Sequence, residues 1–184
     1  VKAALGLTQI MAVARGSAAL APRLAHYFNG AGIPVWEGYG LTETSPTVSA
    51  NPGNAVQIGS IGVPLPCTDI QIRDDDGNPL GLDEPGELCV RGPQVMAGYW
   101  QRPAATAEVI DSEGWFATGD IALVQPAGYM RIVDRKKDMI ISGGLNIYDD
   151  DLERVLLDDT DVTDAAVIGI PSAAWGETPL GLVV

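Results

Sequence analysis

The stretch Trp36 to Thr44, WEGYGLTET, gathers two glycines, two carboxylates, two threonine hydroxyls and Tyr39 directly behind the apolar run Ile33-Pro34-Val35. In open α/β sheets ligands collect outside the carboxyl ends of the strands, so a glycine-rich turn after such a run stands where a ligand would lie. Gly38 and Gly40 let the backbone come close, Tyr39 offers a flat face to a base, Thr42 a hydroxyl to a phosphate oxygen, and Glu43 a hard oxygen to Mg2+. The same residues equally describe a turn with a helix cap at Thr42. Two downstream stretches add to them. Gly114 to Asp120, GWFATGD, ends on a carboxylate that can accept from both hydroxyls of a ribose, or simply closes a Gly-Asp turn. Asp134-Arg135-Lys136-Lys137-Asp138 supplies a guanidinium suited to a ribose or a phosphate, or forms a solvated basic turn.

The elements that must position these groups follow from the apolar pattern. Ile10 to Ala14 reads as a buried strand, Leu20 to Asn29 as a helix with Leu24 and Phe28 on one face, and Ile33 to Trp36 as a second strand after a glycine stop. From residue 58 Gly, Pro and Asp punctuate short strands at Ile70 to Ile72, Glu87 to Arg91, Ile121 to Val124 and Tyr129 to Val133. Hairpins are predicted at Asp74 to Asn78 and Gln125 to Gly128, and a short helix over Pro103 to Ile110. Then come strand Met139 to Ser142, a Gly143-Gly144 turn, a helix from Asp149 to Leu157, and strands at Ala165 to Ile170 and Leu180 to Val184. Leu152, Val155 and Leu156 give that last helix an apolar stripe, and three aspartates at its start complement its dipole.

Composition narrows the partners. The 184 residues, 46% apolar, suffice for a core, and the charged fraction of 19% argues against disorder. A net charge of −13, from 24 acidic against 11 basic residues, repels nucleic acid and anionic membranes on average, so an anionic ligand needs a local exception. Arg135-Lys136-Lys137 is the one run of three cations. Cys67 and Cys89 form no CxxC pair, which makes a reduced, cytoplasmic chain the default, although one bridge between them stays open. His26, the single histidine, belongs on a helix surface, and no zinc site is available. Lys2 followed by the apolar residues 3–14 and the small residues 17–21 imitates a leader, but Gly6, Thr8 and Gln9 interrupt it. No run reaches the ~18 apolar residues of a membrane span.

YGLTET, GWFATGD and DRKKDMIISGGLNIY, in this order and spacing, resemble the adenylate-forming enzymes: acyl- and aryl-CoA ligases, luciferases and the adenylation domains of peptide synthetases. Arg15 to Leu20 resembles their acyl-pocket segment, Gly86 to Gly92 with Gly98-Tyr99-Trp100 their barrel region, and Gly176-Glu177 their small C-terminal domain. The resemblance implies α/β plus β architecture. Residues 1–136 would be the end of the large AMP-binding domain, an α/β portion over 1–57 and a distorted antiparallel β-barrel over 58–136. Residues 137–184 would be the hinge and the start of a small α+β domain.

The resemblance also assigns roles. Tyr39 would stack on adenine with Gly40 beside it, Thr42 would bond the α-phosphate, Glu43 would hold Mg2+, Asp120 the ribose hydroxyls, and Arg135 the ribose or phosphate. Gly16, Ser17, Ala18 and Gly38 would line the acid pocket, Lys137 would be the hinge, and Gly143 and Gly144 would line the CoA tunnel. The implied activity is an acid-thiol ligase reaction using ATP, Mg2+ and CoA. SGGLNIY is typical of fatty-acyl and related CoA ligases. The alternatives are a domain loading a carrier protein and a catalytically dead nucleotide-binding module. Three positions depart from the family: Asp149 replaces a usual Pro, Arg15 a small residue, and Ala19 a common Pro. The family's phosphate loop would lie upstream of Val1 and its catalytic lysine downstream of Val184, so this stretch alone is expected to be inactive. Its open strand edges favour self-association.

Overall fold

The computed structural model describes residues 2–4, 6–9, 11–16 and 20–184. Ile10, at the start of the first predicted strand, and Ser17, Ala18 and Ala19 lie outside the described residues.

The first unit is the predicted strand, helix, strand. β1 (Val13–Arg15) lies parallel to β2 (Val35–Tyr39), and α1 (Pro22–Gly30) crosses between them, with Pro22 in the first turn where no amide donor is needed. Ala25, 2% exposed, is what α1 buries; Leu24, expected to share a buried face with Phe28, is 47% exposed. His26 is exposed on this helix as predicted. Two short strands, β3 (Ser49–Ala50) and β4 (Val63–Pro64), extend the sheet in antiparallel fashion beyond β2.

The second unit is an antiparallel sheet of β5 (Asp69–Arg73), β6 (Gly86–Arg91), β7 (Phe116–Val124) and β8 (Met130–Arg135), in that order. Its outer strands do not pair with each other, so the expected barrel is an open four-stranded sheet among the described residues. The predicted turns are present: Asp74 accepts from the Asn78 amide at 2.7 Å, and Gly128 N donates to Gln125 O at 2.8 Å. β7 begins five residues before the predicted strand because Trp115, 5% exposed, anchors its start beneath the Arg73 and Arg91 guanidinia. α2 (Pro103–Val109) sits in the β6 to β7 connection.

Val48, Ile72, Leu88, Val90, Ala122 and Met130 form the core that joins the two sheets, and Tyr39 packs against it. Buried polar side chains pin the loop between the sheets: Ser49 Oγ donates to Ile61 O at 2.7 Å and Asn51 Nδ2 to Ser60 O at 2.7 Å. Ile61 and Gly62 exchange backbone bonds with Met130 at 2.9 Å, tying the first sheet to β8. This junction brings the end of β2 over β7 and β8.

The third unit is a sheet ordered β10, β9, β12, β11, from β9 (Ile140–Ser142), β10 (Leu145–Ile147), β11 (Ala165–Ser172) and β12 (Gly176–Val183), with α3 (Asp149–Leu157) against it. Within the expected stripe of α3, Leu152 and Leu156 are half-buried, but Val155 is 67% exposed. Among the described residues no helix is long and apolar enough to cross a membrane. Both cysteines are free; burial pushes the Cys89 thiol up to about 11, which keeps it protonated and poorly nucleophilic at neutral pH.

Candidate functional site

Tyr39, Asp120 and Arg135 converge from three strands. Asp120 and Arg135 are cross-strand partners in β7 and β8, and the junction at Met130 sets Tyr39 above them. The Tyr39 hydroxyl donates to Asp120 Oδ2 at 2.5 Å, and Arg135 Nε lies 3.6 Å from Asp120 Oδ1. Burial, and then the neighbouring Asp120 charge, push the Tyr39 phenol well above its ordinary pKa, so it remains a donor at any physiological pH. Asp120 is steadied from behind: its amide donates to Thr118 Oγ1 at 3.1 Å, and that hydroxyl donates to Leu88 O at 2.8 Å. The Asp120 side chain is 11% exposed and the Arg135 side chain 60% exposed, so the carboxylate is fixed and the guanidinium is free to reorient.

These three side chains open onto a cavity of about 370 Å³, to whose lining Gly38, Gly40, Leu41 and Ile132 also contribute. Gly40 is required there by close packing, since a Cβ at this position would stand 1.6 Å from the Pro46 carbonyl oxygen. Gly16 lies near Gly38, where its own Cβ would meet the Gly38 carbonyl at 3.6 Å. Ser17 and Ala18, the other expected pocket residues, lie outside the described residues.

Thr42 and Glu43 occupy a 3-10 turn over Thr42–Thr44 that leaves this cavity. Thr44, fully buried, pins the turn: its Oγ1 accepts from Leu41 N at 2.9 Å and lies 3.0 Å from the Leu41 and Pro46 carbonyls. The hydroxyl that organises the turn is therefore not Thr42, which is exposed. Glu43 faces a neighbouring cavity of about 360 Å³ shared with Leu41, Tyr99, Gly119 and Lys136, and its Oε1 accepts from the Tyr99 hydroxyl at 3.1 Å. Leu41 lines both cavities, which therefore adjoin each other. Lys136 Nζ bonds Glu87 Oε2 at 2.9 Å, and that bond raises its pKa.

Several cavity residues carried no warning in their sequence pattern. Asp134, Asp138, Asp149 and Asp150 line the same cavity. Asp134 is 7% exposed; its Oδ1 accepts from Arg135 N at 2.6 Å, and no donor among the described residues reaches Oδ2. Burial, followed by the Asp149 carboxyl facing it, pushes Asp134 up to about 7. Among the described residues no group of three or more His, Cys, Asp or Glu side chains is arranged to hold a metal ion.

Lys137 is exposed in the turn between β8 and β9, its Nζ 3.8 Å from Asp138 Oδ1. Gly143 and Gly144 make the β9 to β10 hairpin with φ of 58° and 82°, and a Cβ on Gly143 would stand 2.7 Å from the Trp175 ring. Lys137, Gly143 and Gly144 do not line the first cavity.

The sequence profile of a family described as AMP-binding enzyme matches residues 2–100. A long-chain-fatty-acid–CoA ligase of Yersinia pestis is 54% identical over 149 residues, which are 80% of this chain and 26% of that protein. A feruloyl-CoA synthase of an Amycolatopsis species is 43% identical over 180 residues, 97% of this chain and 36% of that protein. Among solved structures, ATP-bound MatB from Rhodopseudomonas palustris matches with a TM-score of 0.86 at 34% identity, over 92% of this chain and 34% of that one. The o-succinylbenzoate CoA synthetase MenE from Bacillus subtilis, in complex with the acyl-adenylate intermediate OSB-AMP, matches with a TM-score of 0.86 at 32% identity, over 98% of this chain and 38% of that one. The chain thus spans about a quarter of the first relative's length and about a third of the second's.

Proposed function

The chain belongs to the AMP-binding enzyme family, and we propose that it is part of an acyl-CoA ligase. The whole enzyme activates a carboxylic acid with MgATP and passes the acyl group to CoA. The observation that carries this reading is the convergence of Tyr39, Asp120 and Arg135 on one cavity, from strands up to a hundred residues apart. An adenine can lie on the Tyr39 ring, and the Asp120 carboxylate, already an acceptor, can take both ribose hydroxyls. The acidic wall formed with Asp134, Asp138 and Asp149 suits a hydroxylated, uncharged face and repels phosphates. Phosphates then lie toward the exposed guanidinium of Arg135 and toward Thr42, at the turn that leaves the cavity.

In the first half-reaction a carboxylate oxygen of the acid attacks the α-phosphorus, and the bond to the pyrophosphate oxygen breaks. In the second, the CoA sulfur attacks the acyl carbon and AMP leaves. Charge grows on the phosphoryl oxygens in the first half, so fixed donors there supply most of the acceleration. Mg2+, when bound, neutralises the phosphate charge, and Glu43 is the residue that would hold it. A lone carboxylate fits Mg2+, which keeps several waters and takes most other ligands from phosphates.

The sites beyond the nucleotide follow the same reading. Gly16 and Gly38, with Ser17 and Ala18, border the acid. Lys137 sits where the chain leaves the second sheet for the third, which suits a hinge between a domain ending at residue 136 and one beginning at 137. Gly143 and Gly144 offer a side-chain-free hairpin to the CoA arm. The SGGLNIY stretch and the two CoA-ligating relatives favour CoA as acceptor.

Acid-dependent exchange of labelled pyrophosphate into ATP by the full-length protein that carries this chain tests the reading, followed by thioester formation on adding CoA. Exchange that requires a carboxylic acid and thioester that requires CoA support it. A folded, nucleotide-binding protein that exchanges with no acid across an aliphatic and aromatic panel contradicts it.

A further inference from the structure

Among the described residues, Arg15 puts an unmatched donor group on the cavity wall. β1 and β2 run in parallel register, and Arg15 pairs with Glu37, so its side chain shares a sheet face with Glu37 and Tyr39. The register places Arg15 one strand over and two residues back from Tyr39, roughly 8 Å between Cα atoms. Glu37 would be the obvious counter-ion, yet its Oε1 accepts from Leu20 N at 3.0 Å, and no ion pair within 4.0 Å joins it to Arg15. Arg15 Nη1 is buried, donates to nothing among the described residues, and belongs to a side chain on the cavity wall. A guanidinium keeps its donors at any pH in reach, and no hydrogen bond or ion pair among the described residues uses those of this half-buried, cavity-lining side chain, so they are left for an acceptor in the cavity.

We infer that Arg15 is a specificity-determining residue that binds an acceptor oxygen on the tail of the acid, so the preferred substrate is a carboxylic acid bearing a second oxygen function. This rests on the ligase reading. The nucleotide's own groups are already provided for: the ribose by Asp120, and the phosphates by Arg135, both on the second sheet. Arg15 stands on the first sheet, beside Gly16 and Gly38, at the end of the cavity left for the acid. Carboxylate, hydroxyl and methoxy oxygens share the required chemistry, and only the carboxylate can take the guanidinium fork in bidentate fashion.

The test measures kcat/KM for acid-dependent pyrophosphate exchange by the full-length protein. The acids are matched in length: alkanoic acids, their α,ω-dicarboxylic and ω-hydroxy counterparts, and hydroxy- or methoxy-substituted aryl acids. Wild type is expected to favour an oxygenated acid over its plain counterpart by about 10- to 100-fold, mostly through KM. Arg15→Met should collapse that ratio to near one, and Arg15→Lys should retain part of it for dicarboxylates. Equal preference in the wild type, or an unchanged ratio in a nucleotide-binding Arg15→Met protein, overturns the assignment. Exchange with plain acids in that case leaves the ligase reading intact, whereas exchange with no acid at all removes both.

Discussion

Asp120→Asn separates a nucleotide site from a structural hydrogen bond. The substitution keeps the side-chain volume and removes one anionic oxygen from a group whose Oδ2 is 2.5 Å from the Tyr39 hydroxyl and whose Oδ1 is 3.6 Å from Arg135 Nε. The amide oxygen can still accept from Tyr39, which leaves an NH2 directed at the guanidinium, donor against donor. Neither group can then receive a ribose hydroxyl proton. A hydrogen bond to a charged group contributes about 1.5–3 kcal/mol, so losing one at the ribose weakens ATP binding about 10- to 150-fold. Titration calorimetry on the full-length protein, with ATP and 2′,3′-dideoxy-ATP, isolates this term. The variant should lose the full factor for ATP and less than about 3-fold for the dideoxy nucleotide, which has no hydroxyls to lose. Equal losses for both nucleotides in a protein of unchanged melting temperature would refute the ribose role, as would no loss for either.

Three further outcomes follow from the geometry. Gly40→Ala forces a Cβ against the Pro46 backbone, so stability should fall by about 1–3 kcal/mol, a lowering of several degrees in a thermal melt. Asp134 has its folded-state pKa raised from 3.8 to about 7, so between those values the folded chain holds a proton that the unfolded chain has released. Stability should therefore decrease as pH rises from about 4 to about 7, and Asp134→Asn should flatten that slope in urea unfolding at stepped pH. Glu43→Gln keeps the acceptor oxygen facing Tyr99 but removes the charge, so pyrophosphate exchange should fall on the order of 10²-fold, with a higher Mg2+ requirement in a metal titration.

The strand, helix, strand opening was legible because its apolar runs and the glycine-stopped helix stand apart, although β1 begins at Val13 and none of its three residues is buried as the apolar run had implied. The residues of the site core were singled out by their types and drawn together by the family resemblance. What joins them was not legible. β3 and β4 are two residues long, too short for a period, yet they carry the loop that stitches β2 to β8. Thr44, rather than Thr42, holds the 3-10 turn, because which hydroxyl turns inward depends on the packing around it. Asp134 and Asp149 read locally as a solvated charge and a dipole complement. Their apposition across 15 residues exists only once α3 docks on β8. Val155 and Leu24 obey helical spacing and are still exposed, since spacing marks a face without stating what covers it.

Difference density for AMP soaked into crystals of the full-length protein tests the central claim most directly. The account predicts adenine stacked on the Tyr39 ring with both ribose hydroxyls within hydrogen-bond distance of the Asp120 carboxylate. A nucleotide bound elsewhere, with Tyr39 still bonded to an otherwise untouched Asp120, would contradict it.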